Sequence, residues 1–153
     1  MRKKTIIKKL FHLWFLIRRP ITLGVRVLIE NKDGEILLVR HTYVDGWYLP
    51  GGGVETGETA EQAARKELLE EAGVKTNDKA KLLGIYFNSS ASKRDHVVLY
   101  RFDDWIDTGQ FHPNKEIAEI GFFSIDALPV GTTPATRQRI LEVYENHPNS
   151  ELW

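Results

Sequence analysis

Residues 50–74 read PGGGVETGETAEQAARKELLEEAGV. Two kinds of chain meet in this stretch. Pro50-Gly51-Gly52-Gly53 is a tight loop almost free of side chains, so backbone carbonyls and amides can come close to a ligand. Thr59-Ala60-Glu61-Gln62 matches a capping box, in which the hydroxyl and the Gln62 side chain accept from backbone N–H groups at a helix start. Strong helix formers fill Ala60 to Ala72, and Gly73 stands where a left-handed C-terminal cap belongs. Ala60, Ala64 and Leu68 share one face and are expected to pack on a sheet.

Glu67, Glu70 and Glu71 lie at i, i+3 and i+4 on this helix, so their carboxylates project from one side. Like charges at this spacing repel by ~0.2–0.5 kcal/mol per pair. They also crowd the helix C-terminus, where the macrodipole disfavours an exposed anion by ~0.3–1 kcal/mol. A helix selected for stability alone would carry Lys or Arg there. One reading is a solvated acidic face with nearby bases. The other is that a hard divalent cation sits among these oxygens and reverses the sign of the repulsion.

Around the helix the chain reads mostly as strand. Ile21–Ile29 and Glu35–Arg40 are rich in β-branched residues and are expected to form a hairpin across Asn31-Lys32-Asp33-Gly34. Residues 43–57 read as loop, with a short strand near Trp47–Leu49. Further strands are expected at Ala80–Asn88, His96–Trp105 and Ile120–Phe123, with the polar turn Ser89–Asp95 between the first two. Ser124–Leu128 reads as a helical turn. Thr133-Pro134 opens a last helix running to about Glu145, with Ile140, Leu141 and Tyr144 as its buried stripe. Strands, helix, strands, helix predict an α/β (α+β) sandwich.

A chain of 153 residues suits one such domain, and 42% hydrophobic residues supply enough apolar area for its core. Absence of Cys rules out disulfides, thiolate zinc sites and Cys nucleophiles. No G-x-x-x-x-G-K-[S/T] or G-x-G-x-x-G is present, so neither a P-loop nor a dinucleotide fold is supported. Ser89, Ser90 and Ser92 form no G-x-S-x-G elbow. The 21 bases and 21 acids cancel, but residues 1–19 hold seven bases and no acid. Residues 20–153 then carry 14 bases against 21 acids, a net of −7. An acidic body argues against coating a nucleic acid duplex. It does not argue against small phosphate ligands, which carboxylates recruit through a divalent cation.

The basic segment, residues 1–19, encloses the apolar run Leu10–Ile17. No small-residue cleavage site follows it, and Arg18-Arg19-Pro20 leads into a strand, so export is the weaker reading. Leu10, Leu13, Trp14 and Ile17 make one helical stripe, which Phe11, Phe15 and Leu16 widen; His12 reads as a plain surface or packing residue. Two readings remain: a helix on an anionic membrane surface, or a helix packed on the domain or on a second subunit of a homodimer. The packed helix is preferred here.

The pattern Gly52, Glu58, Lys66-Glu67-Leu68, Glu70-Glu71, Gly73-Val74 resembles the signature of the Nudix hydrolases, G-x5-E-x7-R-E-U-x-E-E-x-G-U with U apolar. Every fixed position fits except one: Lys66 stands where the family usually has Arg. Trp47-Tyr48-Leu49-Pro50 before the box and Glu119–Pro129 after it are also similar. The resemblance covers about residues 20–145, giving a Nudix domain over 20–153 behind the extension 1–19. It implies the family's α/β/α sandwich, with a mixed sheet between helices.

The resemblance further implies hydrolysis of a nucleoside diphosphate linked to another group X, by water attack at phosphorus with Mg²⁺, which Mn²⁺ can replace. Carried over by position, Glu67, Glu70 and Glu71 and the backbone carbonyl of Gly51 are metal ligands, and Glu58 anchors the loop or touches a metal through water. Lys66 supplies the charge of the family's Arg without its bidentate fork, and Arg65 is an uncertain replacement. Glu116 is preferred over Glu119 as general base. Tyr43, Trp47 and Phe87 are candidates to stack on a nucleobase, and Lys93 and Arg94 to hold a distal phosphate. Aromatic core residues and a solvated loop are the plain alternatives, and His96 reads as structural. The expected partner is a nucleotide or nucleotide derivative. The expected location is the cytoplasm, with a peripheral membrane contact through residues 1–19 as one alternative. A catalytically weak nucleotide-sensing module on the same fold is the competing function.

Overall fold

The computed structural model describes residues 2–145, 147–148 and 150–153, with the side chains of residues 2–7, Leu10 and Leu13 set aside. In chain order the elements are α1 (Arg2–Arg18), β1 (Thr22–Leu28), β2 (Glu35–His41), β3 (Trp47–Tyr48), α2 (Ala60–Ala72), β4 (Val74–Lys75), β5 (Lys81–Phe87), β6 (Asp95–Arg101), β7 (Ile106–Asp107), β8 (Ile117–Ser124), a 3₁₀ turn (Ile125–Ala127) and α3 (Pro134–Tyr144).

β1 and β2 leave the turn at Asn31–Gly34 together and then part. Near the turn, Asn31 donates its N–H to the Glu35 carbonyl at 2.9 Å and Leu37 donates to Ile29 at 3.0 Å. Beyond it, β1 runs parallel to β6, which is antiparallel to β5. β2 instead lies between β3 and β8, antiparallel to both. The expected hairpin is thus confined to its root. The reason lies in the edges of β1. On one side, Val25 and Val27 donate to the carbonyls of Gly52 and Pro50, both at 2.8 Å. On the other side β6 fills the ladder. No edge of β1 remains for β2 to join.

The two sheets together form the middle layer of a sandwich. Val25, Val27 and Ile29 of the first and Leu37 and Val39 of the second pack with Ala63, Ala64, Leu68 and Ala72 of α2. Leu28, Ile36, Leu38 and Leu99 form a second core with Ile140 of α3. Alternation along β1 and β2 therefore feeds both cores, as period-2 strands buried on both faces must. The alanines of α2 present little bulk, which lets the helix sit close to the strands. Burying one large side chain such as Leu68 contributes about 1.5–3 kcal/mol.

Capping fixes where α2 begins and ends. Thr59 accepts from Gln62 N–H while the Gln62 side chain accepts from Thr59 N–H, and Gly73 closes the helix by donating to Leu68 and Leu69. α3 starts at Thr133 with Pro134 in its first turn. β4 and β7 form a two-stranded pair too short for any pattern to announce. The strand expected to reach Trp105 stops at Arg101, and the one expected at Ile120 begins three residues earlier. The C-terminal residues lie along β5: Phe87 donates to Glu151, and Trp153 donates back to Phe87.

α1 is a helix, but every described side chain from Lys8 to Arg19 is exposed. None of these described side chains packs on the domain, as the helix was expected to do there or on a second subunit. Leu10 and Leu13, half of the stripe read from the sequence, lie outside the described side chains. Among the described residues no helix is long and apolar enough to cross a membrane.

Candidate active site

α2 delivers its acids beneath the glycine loop. Glu71 is buried, and one of its oxygens accepts the Gly51 N–H at 2.7 Å. Glu67 lies under Gly52: a Cβ at that position would stand 2.6 Å from the Glu67 carboxylate carbon. Gly51 has φ +146°, and a Cβ there would fall 2.0 Å from the Val25 carbonyl oxygen. The loop therefore runs between β1 and the acids with no room for side chains at residues 51 and 52. Glu70 is exposed on the same helix.

Burial sets the electrostatics. It pushes the Glu71 carboxyl up to about 7, helped by the charges of Glu67 and Glu116 and opposed by the Gly51 N–H and Arg26. The Glu67 carboxyl is also raised, first by burial, against the pull of Lys66. Glu116 lies in the loop before β8, held by a bond from its N–H to Asn114 Oδ1 at 2.8 Å. Its charge is felt by Glu67, Glu71, His41 and Tyr43. Glu119 instead pairs with Arg40 on the exposed face of β2 and β8. Of the two, Glu116 is on the side of the acids: its carbonyl accepts the N–H of Thr42, the neighbour of His41, at 2.9 Å.

Lys66 lies 3.3 Å from Glu58, 3.5 Å from Glu55 and 3.9 Å from Glu67. It is a hub for three carboxylates rather than a fork on one. Glu58 also accepts the Glu55 N–H at 2.7 Å within the loop, so through Lys66 it ties the loop to the helix. Arg65 is committed elsewhere, to Glu61 and to the carbonyls of Thr76 and Asp78. It does not stand in for the family's Arg, whose position Lys66 holds.

Two residues that sequence reasoning passed over belong to this site. Arg26 of β1 donates to the carbonyls of Leu49 and Gly51 at 2.8 and 2.9 Å, and its guanidinium stands over the Tyr48 ring. Its charge opposes those of Glu71 and Glu67. His41 ends β2, with Nε2 3.9 Å from Glu71 and Nδ1 buried without a hydrogen-bond partner among the described residues. Burial, then the Arg26 charge, holds its imidazole below its ordinary pKa. A lone Arg between Val25 and Val27 was the available signal for the first; His41 had none.

The other candidates are placed differently. Tyr43 is exposed and lies by His41. Trp47 is buried, edge-on to Phe123 in the α3-side core, so its ring serves packing. Phe87 lies against His96 at the end of β5, flanked by the C-terminal residues. Lys93 and Arg94 are exposed in the turn between β5 and β6. None of these last three is brought into contact with the acids. A cavity of about 1120 Å³ lies around Glu30–Asp33 and residues 101–107, and no acid of α2 lines it. Arg101 there is already paired with Glu30 and Asp103.

A family model described as the NUDIX domain matches residues 20–145. The chain belongs to the Nudix hydrolase family. It is a Nudix-type pyrophosphohydrolase. It is 34% identical over 130 residues to a protein of Methanocaldococcus jannaschii named ADP-ribose pyrophosphatase, spanning 83% of this chain and 75% of that one. It is 39% identical over 91 residues to diphosphoinositol polyphosphate phosphohydrolase 2 of Rattus norvegicus, 57% of this chain and 50% of that one. The fold matches the crystal structure of a MutT Nudix hydrolase from Burkholderia pseudomallei with a TM-score of 0.65 at 27% identity, covering 80% of this chain and 97% of that one.

Nudix hydrolases generally use divalent metals, and the donors here fit such an ion in kind. They are hard oxygens, two of them on carboxylates whose burial is uncompensated enough to raise their pKa. The Gly51 carbonyl keeps a second lone pair beside its bond from Arg26. Among the described residues, no three acidic or imidazole side chains converge closely enough to enclose an ion. Glu71 is turned to Gly51, Glu67 to Gly52 and Glu70 to solvent.

Proposed function

We propose that this protein hydrolyses the pyrophosphate bond of a nucleoside diphosphate linked to a group X, or of a nucleoside triphosphate, with Mg²⁺ that Mn²⁺ can replace, in the cytoplasm. The observation that carries this is the pair Glu67, half-buried, and Glu71, buried, set against a glycine loop with no room for side chains at residues 51 and 52. A divalent cation bound there would neutralise the diphosphate, polarise a phosphoryl oxygen and acidify the attacking water. Glu67, Glu70, Glu71 and the Gly51 carbonyl would hold it. Arg26 fixes that carbonyl by tying it to β1. Lys66 holds Glu58, and with it the loop, against the helix. Glu116 is assigned as the base that accepts the proton of the attacking water, because its charge already acts on Glu67 and Glu71. Tyr43 is the aromatic best placed to meet a nucleobase, being exposed at the rim beside His41.

The relatives are named for substrates as different as ADP-ribose and diphosphoinositol polyphosphates, so X is left to experiment. The test is a screen of nucleoside triphosphates, nucleotide sugars, ADP-ribose and dinucleoside polyphosphates with Mg²⁺ or Mn²⁺, read by product analysis. The expected result is cleavage between two phosphoryl groups of at least one substrate. Replacing Glu70 or Glu71 with Gln should lower turnover by orders of magnitude while the fold survives. Binding without turnover throughout would replace the enzyme by a nucleotide sensor.

A further inference from the structure

We infer that α1 docks on the surface of an anionic lipid bilayer, lying in the plane of the interface. This rests on the helix and its charges, not on the reaction. All described side chains from Lys8 to Arg19 face solvent, among them Phe11 at 58%, Trp14 at 51% and Ile17 at 70% exposure. Phe11, Trp14 and Phe15 form one aromatic cluster, with ring centroids 5.2–6.3 Å apart. Arg18 stands over the Trp14 ring and Arg19 over the Phe15 ring. Helical spacing puts Lys8 and Arg19 beside the cluster, three residues before Phe11 and four after Phe15, with Lys9, His12 and Leu16 farther round the helix. Exposed aromatic rings flanked by Lys and Arg are what an interfacial helix presents, the long basic side chains reaching headgroups beside the buried rings.

Charge selects the occupant. Residues 1–19 carry seven bases and no acid, while residues 20–153 carry a net of −7. A second copy of the helix would bring base against base. A nucleic acid would satisfy the bases but leave the aromatic cluster in water. Anionic headgroups meet the bases while the acyl boundary takes the rings. The acidic body is repelled by the same surface, so the helix alone makes the contact. At 17 residues, and without meeting the hydropathy of a spanning segment, α1 lies on the bilayer rather than crossing it.

The test is flotation of the full chain with phosphatidylcholine vesicles, with and without phosphatidylglycerol. The chain should float only with the anionic vesicles and be released by salt. Replacing Lys8, Lys9, Arg18 and Arg19 together with Gln should weaken partitioning by roughly fivefold for each base removed. Replacing Phe11, Trp14 and Phe15 with Ser should abolish flotation with all charges intact. Both variants should keep the parent's unfolding midpoint, since these side chains touch water. Failure to float, equal flotation with neutral vesicles, or flotation indifferent to either variant would overturn the inference. So would a fall in the midpoint, which would mean that the helix packs on the domain. A dimer in sedimentation that the Ser variant dissolves, without vesicle binding, would assign the face to a second copy.

Discussion

At the scale of single residues, the site depends on what is missing from the chain as much as on what is present. Gly52→Ala would place a methyl group 2.6 Å from the Glu67 carboxylate carbon. The obstacle is the end of a flexible side chain, so the fold should survive while the carboxylate moves. Turnover should fall by orders of magnitude at a nearly unchanged unfolding midpoint, measured by paired assays and thermal scans. Glu71 has a second consequence, in pH. Burial raises its carboxyl from 4.5 to about 7. Between those values the folded protein keeps a proton that the unfolded chain has released. Stability of the metal-free protein should therefore fall as pH rises from about 4.5 to about 7, by about 3 kcal/mol, and then level off. Glu67 is shifted in the same direction and adds to the trend. Urea unfolding at about pH 5 and about pH 8 checks this, and Glu71→Gln should flatten most of the difference.

At the scale of elements, α2 is where the sequence was most legible. Its cap, its glycine stop and its acids all follow from local chemistry, and local chemistry is visible in one dimension. Thr59→Ala removes the oxygen that accepts from Gln62 N–H and should cost about 1 kcal/mol in chemical denaturation. The Glu67–Glu71 end lies two turns and more away, so activity per folded molecule should hold. What stayed hidden depends on distant partners. Nothing local in Ile21–Ile29 says that its edges will be taken by Gly52, Pro50 and β6 rather than by the neighbouring strand. Trp47 has the composition of a stacking residue, and only the tertiary fold turns its ring onto Phe123. Arg26 and His41 reach the acids from two strands that belong to different sheets.

At the scale of the whole molecule, the core on the α3 side is held by a buried ion pair far in the chain from the acids. Arg139 donates to Glu142 at 2.6 Å and to the Leu152 carbonyl at 2.7 Å, while its guanidinium lies 4.2 Å from the Tyr86 ring centroid. Glu142 also accepts the Ser150 N–H. Glu142→Ala would strand a buried cation and should cost about 3–5 kcal/mol, seen as a lowered urea midpoint, with the catalytic rate of the folded fraction retained. The parting of β1 and β2 at Asn31–Gly34 bears on how the molecule is made. Each strand completes its ladder with residues synthesised much later, β1 with 95–101 and β2 with 117–124. A nascent chain leaving the ribosome therefore holds its first two strands with one edge each open until most of the message has been read, and cooperative folding must wait for the far end of the polypeptide.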